Sequence, residues 1–249
     1  MYENELKTAI SAVKKAEPTF RKYFGTQTNV QSKSGDYRNL VSYADKKIET
    51  DIKKFLMARF PDYGFIGEEH GTSNGGAEFV WALDPIDGTT NYLHALPDCT
   101  IALGLLRRGR PVLGVVFAPL HGNIYTAAKG RGAFRNGKRI RASKVGAIRN
   151  AFGAFGWGKE PRFAARHFPS LVRRTLKLRV AGSAALTFCQ VADGTFDFFY
   201  GNIIPNVWDY AAGQIILEEA GGRLLTSKNA KTFVAANPAL GKKFLKFTF

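Results

Sequence analysis

The stretch WALDPIDGTTNY, residues 81–92, decides how this chain is read. Apolar residues of strand type, Trp81, Ala82 and Leu83, deliver two aspartates, Asp84 and Asp87, across a Pro-Ile bend and immediately before Gly88, Thr89 and Thr90. Carboxylates spaced in this way can aim at one place. Hard divalent cations such as Mg²⁺ take oxygen ligands in a near-octahedral array, and a pair of such ions needs at least one bridging carboxylate. Gly88 and Thr89 then open a predicted helix, whose free backbone N–H groups favour a phosphate. Taken alone, the run also reads as a β-turn closed by an Asp cap.

Working outward, two further acidic features stand out. Glu68 and Glu69 end a separate apolar run in FIGEEHG (65–71), and Asp209 follows Trp208 at the start of a late predicted helix. By itself Asp209 also reads as an ordinary N-cap. His70, beside the two glutamates, reads as a surface residue, since Mg²⁺ prefers oxygen.

Hydrophobic spacing supplies the scaffold. Residues 42–60 predict a helix with Ser42 and Asp45 as a capping pair, Ile48, Ile52, Phe55, Leu56 and Phe60 on its buried stripe, and Pro61 as its stop. Leu6, Ile10, Val13, Phe20 and Phe24 recur at helical spacings, with a break expected at Pro18. Short strands are predicted over 64–67 and 79–83. From Thr100 to Phe134 strand and turn alternate, RRGRP and PLHGN being the turn signals, which predicts an antiparallel meander. GSAALTFCQVADG (182–194) predicts a helix of small residues closed by Gly194, FDFFY (196–200) a strand, and a helix from Asp209 carries Ala211, Ala212, Ile215, Ile216 and Ala220 inward before Gly221 and Gly222. No internal repeat or long linker is visible, and a boundary near 148–154 is expected to separate two halves, 1–148 and 149–249.

Bulk properties limit the possible classes. The chain has 249 residues and is 45% hydrophobic, enough for a substantial core without staples. It lacks any run of 18 apolar residues, and MYENELKTAI lacks the layout of a secretory signal, so a cytoplasmic protein with no membrane span is expected. Cys99 and Cys189 are too few for a disulfide framework or a thiolate metal cage. Lys and Arg number 36 against 20 Asp and Glu, a net charge of +16, with clusters at Arg107, Arg108 and Arg110, over 135–144, and at Arg173, Arg174, Lys177 and Arg179. Such a balance attracts polyanions generally, nucleic acid or phosphorylated metabolite alike, and single clusters also read as solvated faces.

The order LVSYAD, GEE, DPIDGTTN, WDYAAG, EAGG resembles the inositol monophosphatase family of magnesium-dependent, lithium-sensitive phosphatases, and the similarity extends to KGRGAFRNGKRIRAS, GSAAL and VAANPALGKKFLKF. The resemblance implies an α/β fold, a layered αβαβα sandwich of the inositol monophosphatase and fructose-1,6-bisphosphatase type with a mostly antiparallel first sheet. It implies two to three Mg²⁺ per site, with Mn²⁺ as a possible substitute. Glu68, Asp84 and the Ile86 carbonyl would bind the first ion, and Asp84, Asp87 and Asp209 the second. A third ion would also lean on Glu68. A metal-activated water near Glu68 and Thr89 would attack phosphorus, Asp45 would polarise the Thr89 hydroxyl, and the Gly88 and Thr89 amides would cradle phosphate oxygens.

Carried further, the resemblance makes the first half the bearer of most metal ligands and the second the bearer of Asp209 and the substrate contacts, Ala184 and Asn202. It implies a homodimer and hydrolysis of inositol 1-phosphate or a related small polyol or sugar phosphate. Same-fold phosphatases for fructose 1,6-bisphosphate, histidinol phosphate or a phosphonucleotide are the alternatives, and the charge of +16 leaves a protein that binds RNA or a transcription complex as a reading from another class. Two departures from the family pattern matter. Where inositol-specific members carry a Glu shortly before the WD motif, this chain has Gly201 and Asn202. The lysine expected on the loop before LVSYAD is Lys33, shifted by one, with Asn39 in place of an Asp.

Overall fold

The structure is a computed structural model that describes residues 2–26, 31–32, 40–158, 160–202, 206–227 and 231–246. Lys33 and Asn39 lie outside the described residues. The first half comprises α1 (Glu3–Tyr23), β1 (Gln31–Ser32), β2 (Leu40–Val41), α2 (Tyr43–Met57), β3 (Gly64–Gly67), β4 (Gly71–Ser73), β5 (Phe79–Asp87), α3 (Thr89–Leu93), β6 (Thr100–Arg107), β7 (Arg110–Ala118), β8 (Asn123–Ala128), β9 (Gly132–Arg135) and β10 (Lys138–Arg139). There follow β11 (Phe152–Gly156), α4 (Pro161–Arg174), β12 (Lys177–Arg179), α5 (Ala184–Ala192), β13 (Phe198–Asn202), α6 (Val207–Glu219), β14 (Arg223–Thr226), β15 (Thr232–Ala236) and α7 (Pro238–Leu245).

Two sheets organise these elements. The larger runs β10-β9-β8-β7-β6-β5-β3-β4 and is antiparallel except where β3 pairs parallel with β5. The smaller runs β12-β11-β13-β15-β14, with β11 parallel to both β12 and β13 and the rest antiparallel. Side chains alternate across each sheet, and each face buries a different layer. On one face of the large sheet Trp81, Leu83, Leu103 and Val115 meet Ala12, Val13, Ile48 and Ile52 of α1 and α2. On the other face Ala102, Val116 and Tyr125 meet Phe188, Cys189, Ile216 and Leu217 of α5 and α6, which also pack on Phe199 and Phe233 of the small sheet. The outer face of the small sheet is covered by α4 and α7 through Leu171, Leu240 and Phe244. The result is the α/β, αβαβα sandwich expected from the sequence.

The middle layer lies very close to the large sheet. A side chain at Gly114 would run into the Ala212 carbonyl of α6, and a Cβ at Gly104 would sit 3.0 Å from that of Ala211, so glycine at both sites is what lets the helix reach the strands.

Three local expectations need correcting. Helix α1 runs unbroken through Pro18, because the buried face from Ala9 through Phe20 holds it against the core at a cost of roughly 3 kcal/mol for a proline in a helix interior. Helix α2 ends at Met57, so Phe60 enters the core from beyond the helix rather than on its stripe. Helix α6 begins at Val207 with Asn206 as its N-cap, which places Asp209 inside the first turn.

Candidate active site

Strand β5 presents its aspartates through a bulge. Asp84 pairs with Ala102 and Asp87 with Thr100, three residues against two. In an uninterrupted strand, residues three apart face opposite sides; the extra residue returns both carboxylates to one side. The Asp84 side chain also accepts from its own chain at Ile86 N (3.1 Å), fixing the Pro-Ile bend. Asp84 and Asp87 are both buried, at 3% and 7% exposure.

The remaining acidic groups arrive from other elements. Asp45 sits in the first turn of α2, where its carboxylate accepts from Ser42 N (2.8 Å) and the Ser42 hydroxyl (2.6 Å), the capping pair expected from sequence. Its other oxygen, Oδ1, is buried without a hydrogen-bond partner. Glu68 follows the end of β3, and Asp209 lies in the first turn of α6, where Asn206 donates to it at 3.2 Å.

Their electrostatics converge. Burial pushes the Asp84 carboxyl well above the usual carboxylate range, and the charges of Glu68, Asp87, Asp209 and Asp45 push it in the same direction. Asp45 is pushed up to about 7, chiefly by burial, against the lowering effect of its Ser42 hydrogen bonds. Asp87 is raised by burial, while bonds from Ser183, Ala184 and Ala185 pull it back. The carboxylates of Glu68, Asp87, Asp209 and Asp45, drawn from four separate segments, therefore oppose the ionisation of Asp84, and positive charge placed beside it relieves that opposition. Among the described residues, no group of three or more His, Cys, Asp or Glu side chains is closed around a common point as a ready-made metal cage. An all-oxygen donor set, a buried unpartnered Asp45 oxygen and mutual repulsion centred on Asp84 suit a hard divalent cation.

Two expected contacts take a different form. The Thr89 hydroxyl donates to the Ile86 carbonyl (3.1 Å) instead of meeting Asp45, because the capping bonds tie the Asp45 carboxylate back to Ser42. The Ala184 amide, expected to touch substrate, donates to Asp87 (3.0 Å). Gly88 precedes α3 with φ 88°, a left-handed conformation suited to glycine. Asn202 closes β13 and lines, with Asp87, Ala184 and Asp209, a cavity of about 600 Å³.

Sequence reasoning missed two residues. Ser183 donates to Asp87 from the N-cap of α5; its place before Ala-Ala-Leu marks a helix start, but nothing local points to Asp87. Glu49 is fully buried on α2 and gathers the turn after Glu68, accepting from Glu69 N (2.9 Å), His70 N (2.7 Å) and His70 Nδ1 (2.9 Å). A charged residue between Ile48 and Ile52 on an apolar stripe was the available signal.

A sequence profile of the inositol monophosphatase family matches residues 1–244. The chain belongs to the inositol monophosphatase family. Its curated relatives include the inositol-1-monophosphatase of Rhizobium meliloti, 38% identical over 225 residues, spanning 87% of this chain and 83% of the relative. Another is the fructose-1,6-bisphosphatase/inositol-1-monophosphatase of Aquifex aeolicus, 35% identical over 189 residues, spanning 74% and 71%. Among solved structures, the extragenic suppressor protein suhB of Bartonella henselae superimposes with a TM-score of 0.92 at 28% identity, covering 99% of this chain and all of that one. Membership in the inositol monophosphatase family makes the chain one of a group of metal-dependent phosphatases. Among the described residues no helix is long and apolar enough to cross a membrane.

Proposed function

We propose that the chain is a Mg²⁺-dependent phosphomonoesterase acting on a small soluble phosphate ester, and that it works as a homodimer. The observation that carries this reading is Asp84, buried and opposed in its charge by Glu68, Asp87, Asp209 and Asp45 together. Glu68, Asp84, the Ile86 carbonyl, Asp87 and Asp209 are the groups that would hold the ions, with Mn²⁺ as a possible substitute. When bound, the ions supply the positive charge that lets water attack at neutral pH and that offsets charge on the leaving oxygen.

This chain's own residues do the rest. Glu68 and the Thr89 hydroxyl would orient the attacking water and take up its proton, with Asp45 accepting from that hydroxyl once it leaves the Ile86 carbonyl. The Gly88 and Thr89 amides hold phosphate oxygens, so that charge developing in the transition state meets fixed donors. Asp87 ties this machinery to the α5 turn. The names of the relatives point to inositol 1-phosphate and fructose 1,6-bisphosphate as the first esters to try, with small polyol and sugar phosphates around them.

Phosphate release from inositol 1-phosphate in millimolar Mg²⁺, abolished by chelation and inhibited by lithium, is the expected result. Absence of release from any of a panel of phosphate monoesters under those conditions would sink the reading. The charge of +16 favours a second one, an RNA or transcription-complex binding role alongside catalysis.

A further inference from the structure

A second cavity, of about 590 Å³, lies away from the candidate active site, at the opposite end of α6. Glu219, in its wall, closes the helix that Asp209 opens, and at a rise of roughly 1.5 Å per residue the two stand about 15 Å apart along its axis. Three exposed cations from separate elements line this cavity: Arg110 starts β7, Lys129 follows β8, and Arg223 starts β14.

The backbone that carries these side chains is tied down. The Lys129 N–H donates to the Val112 carbonyl (2.9 Å), joining it to the strand that Arg110 begins. Glu219 holds the turn after Lys129 with both carboxylate oxygens, accepting from Gly130 N (2.8 Å) and Gly132 N (2.7 Å). Glu218, the other carboxylate in the wall, accepts from the Gln214 amide (2.9 Å). The carboxylates are thus engaged, whereas the cations are not. Among the described residues the Arg110 and Lys129 side chains have no ion-pair or hydrogen-bond partner, and Arg223 donates only to the carbonyl of Gly222 beside it (3.0 Å).

Cations that share one cavity repel one another, and an oxyanion set among them removes that repulsion while using guanidinium and ammonium donors left idle. The volume exceeds what one phosphate group fills and falls in the range of small-molecule sites. Among the described residues that line the cavity none is aromatic, so a nucleobase would find no ring to stack on. We propose that this cavity binds a small non-nucleotide molecule bearing two or more phosphate groups, held by Arg110, Lys129 and Arg223. The site is independent of the phosphomonoesterase reading, since none of its residues takes part in that reaction.

Calorimetric titration of the full chain with inorganic pyrophosphate tests it, in chelator, so that no divalent ion draws the anion to the carboxylates around Asp84. Saturable binding at one site per chain is expected, about tenfold tighter than that of inorganic phosphate and no weaker than that of ADP. Arg110→Gln and Lys129→Gln should each weaken it about tenfold, the size of a lost charge-assisted contact. Arg173→Gln removes the same charge from an exposed position on α4 and should change binding by less than about twofold, which separates a site from attraction to the net charge of +16. Equal weakening by all three variants, binding indifferent to Arg110→Gln and Lys129→Gln, or no saturable binding would overturn the site. Pyrophosphate held no more tightly than phosphate, or ADP held about tenfold more tightly than pyrophosphate, would overturn the class of ligand.

Discussion

Ser183 donates its hydroxyl to Asp87 across 96 positions of sequence, joining the end of β5 to the start of α5. The Ala184 and Ala185 amides, each at 3.0 Å, complete the same attachment. One carboxylate therefore serves as a candidate ligand on the large sheet and as the acceptor for a helix start in the middle layer. Ser183→Ala removes the hydroxyl and leaves the two amides. Because the bond is buried and its acceptor is a carboxylate, the variant is expected to lose about 2 kcal/mol of unfolding free energy in denaturant titration. A loss within experimental error would refute the tie.

Asp84→Asn and Asp209→Asn should each lower turnover by about 10³-fold or more, as expected when several kcal/mol of charge stabilisation are withdrawn. Circular dichroism should report an unchanged fold. In the metal-free state, Asp84→Asn should melt higher than the parent at neutral pH, since it deletes a buried charge that its neighbours oppose. Retained phosphatase activity in either variant would refute the assignment of ion ligands.

The metal-free chain should lose stability as pH rises toward neutrality. The Asp45 carboxyl is raised in the fold to about 7 from an ordinary value of 3.8, so between those values the native state holds a proton that the unfolded state has released. Stability from this group is full below pH 4 and falls as pH climbs through 7, by ~4 kcal/mol at most. Thermal melts in chelator across pH 4–8 measure it, and saturating Mg²⁺ should flatten the slope. A slope of opposite sign in chelator would contradict the environment assigned to Asp45.

Glu49 organises the turn that follows Glu68 without reaching the cavity. Glu49→Ala should free two backbone amides and the His70 ring, costing about 2–4 kcal/mol for the unsatisfied groups, and should raise the Mg²⁺ concentration for half-maximal activity. Magnesium titration of the folded variant at low temperature reads the second effect. An unshifted midpoint would confine Glu49 to a structural role.

A nucleic-acid role driven by phosphate neutralisation predicts affinity that falls on the order of 10³-fold between dilute and physiological salt if several contacts are made. Filter binding of a generic RNA across a salt series checks it. A flat response would dismiss that second reading.

Most of the sandwich was legible because its signals are local. The Ser42–Asp45 capping pair, the turns of the meander and the Gly194 stop depend on neighbours in sequence, and each appears where expected. Pro18 misled because its penalty is local while the packing that overrides it is tertiary. The acidic residues were legible as a pattern, but not the bulge that turns Asp84 and Asp87 to one side, nor the Thr89–Ile86 bond, since both depend on register with β6 and on the fold of α2. The cavity beside Asp87 and Asp209 was hidden for a similar reason: Trp157, Val180, Ala184 and Asn202, which line it, come from separate segments that only the fold brings together.

The bare backbone at Gly104 and Gly114 forms a smooth track under α6, and Asp209 rides less than a turn ahead of the contacts at Ala211 and Ala212. A single methyl group added to that track would lift the helix and carry the carboxylate at its tip out of alignment, although neither glycine lies in the cleft. Chemistry in this protein is thus calibrated from beneath, by atoms whose contribution is to be missing.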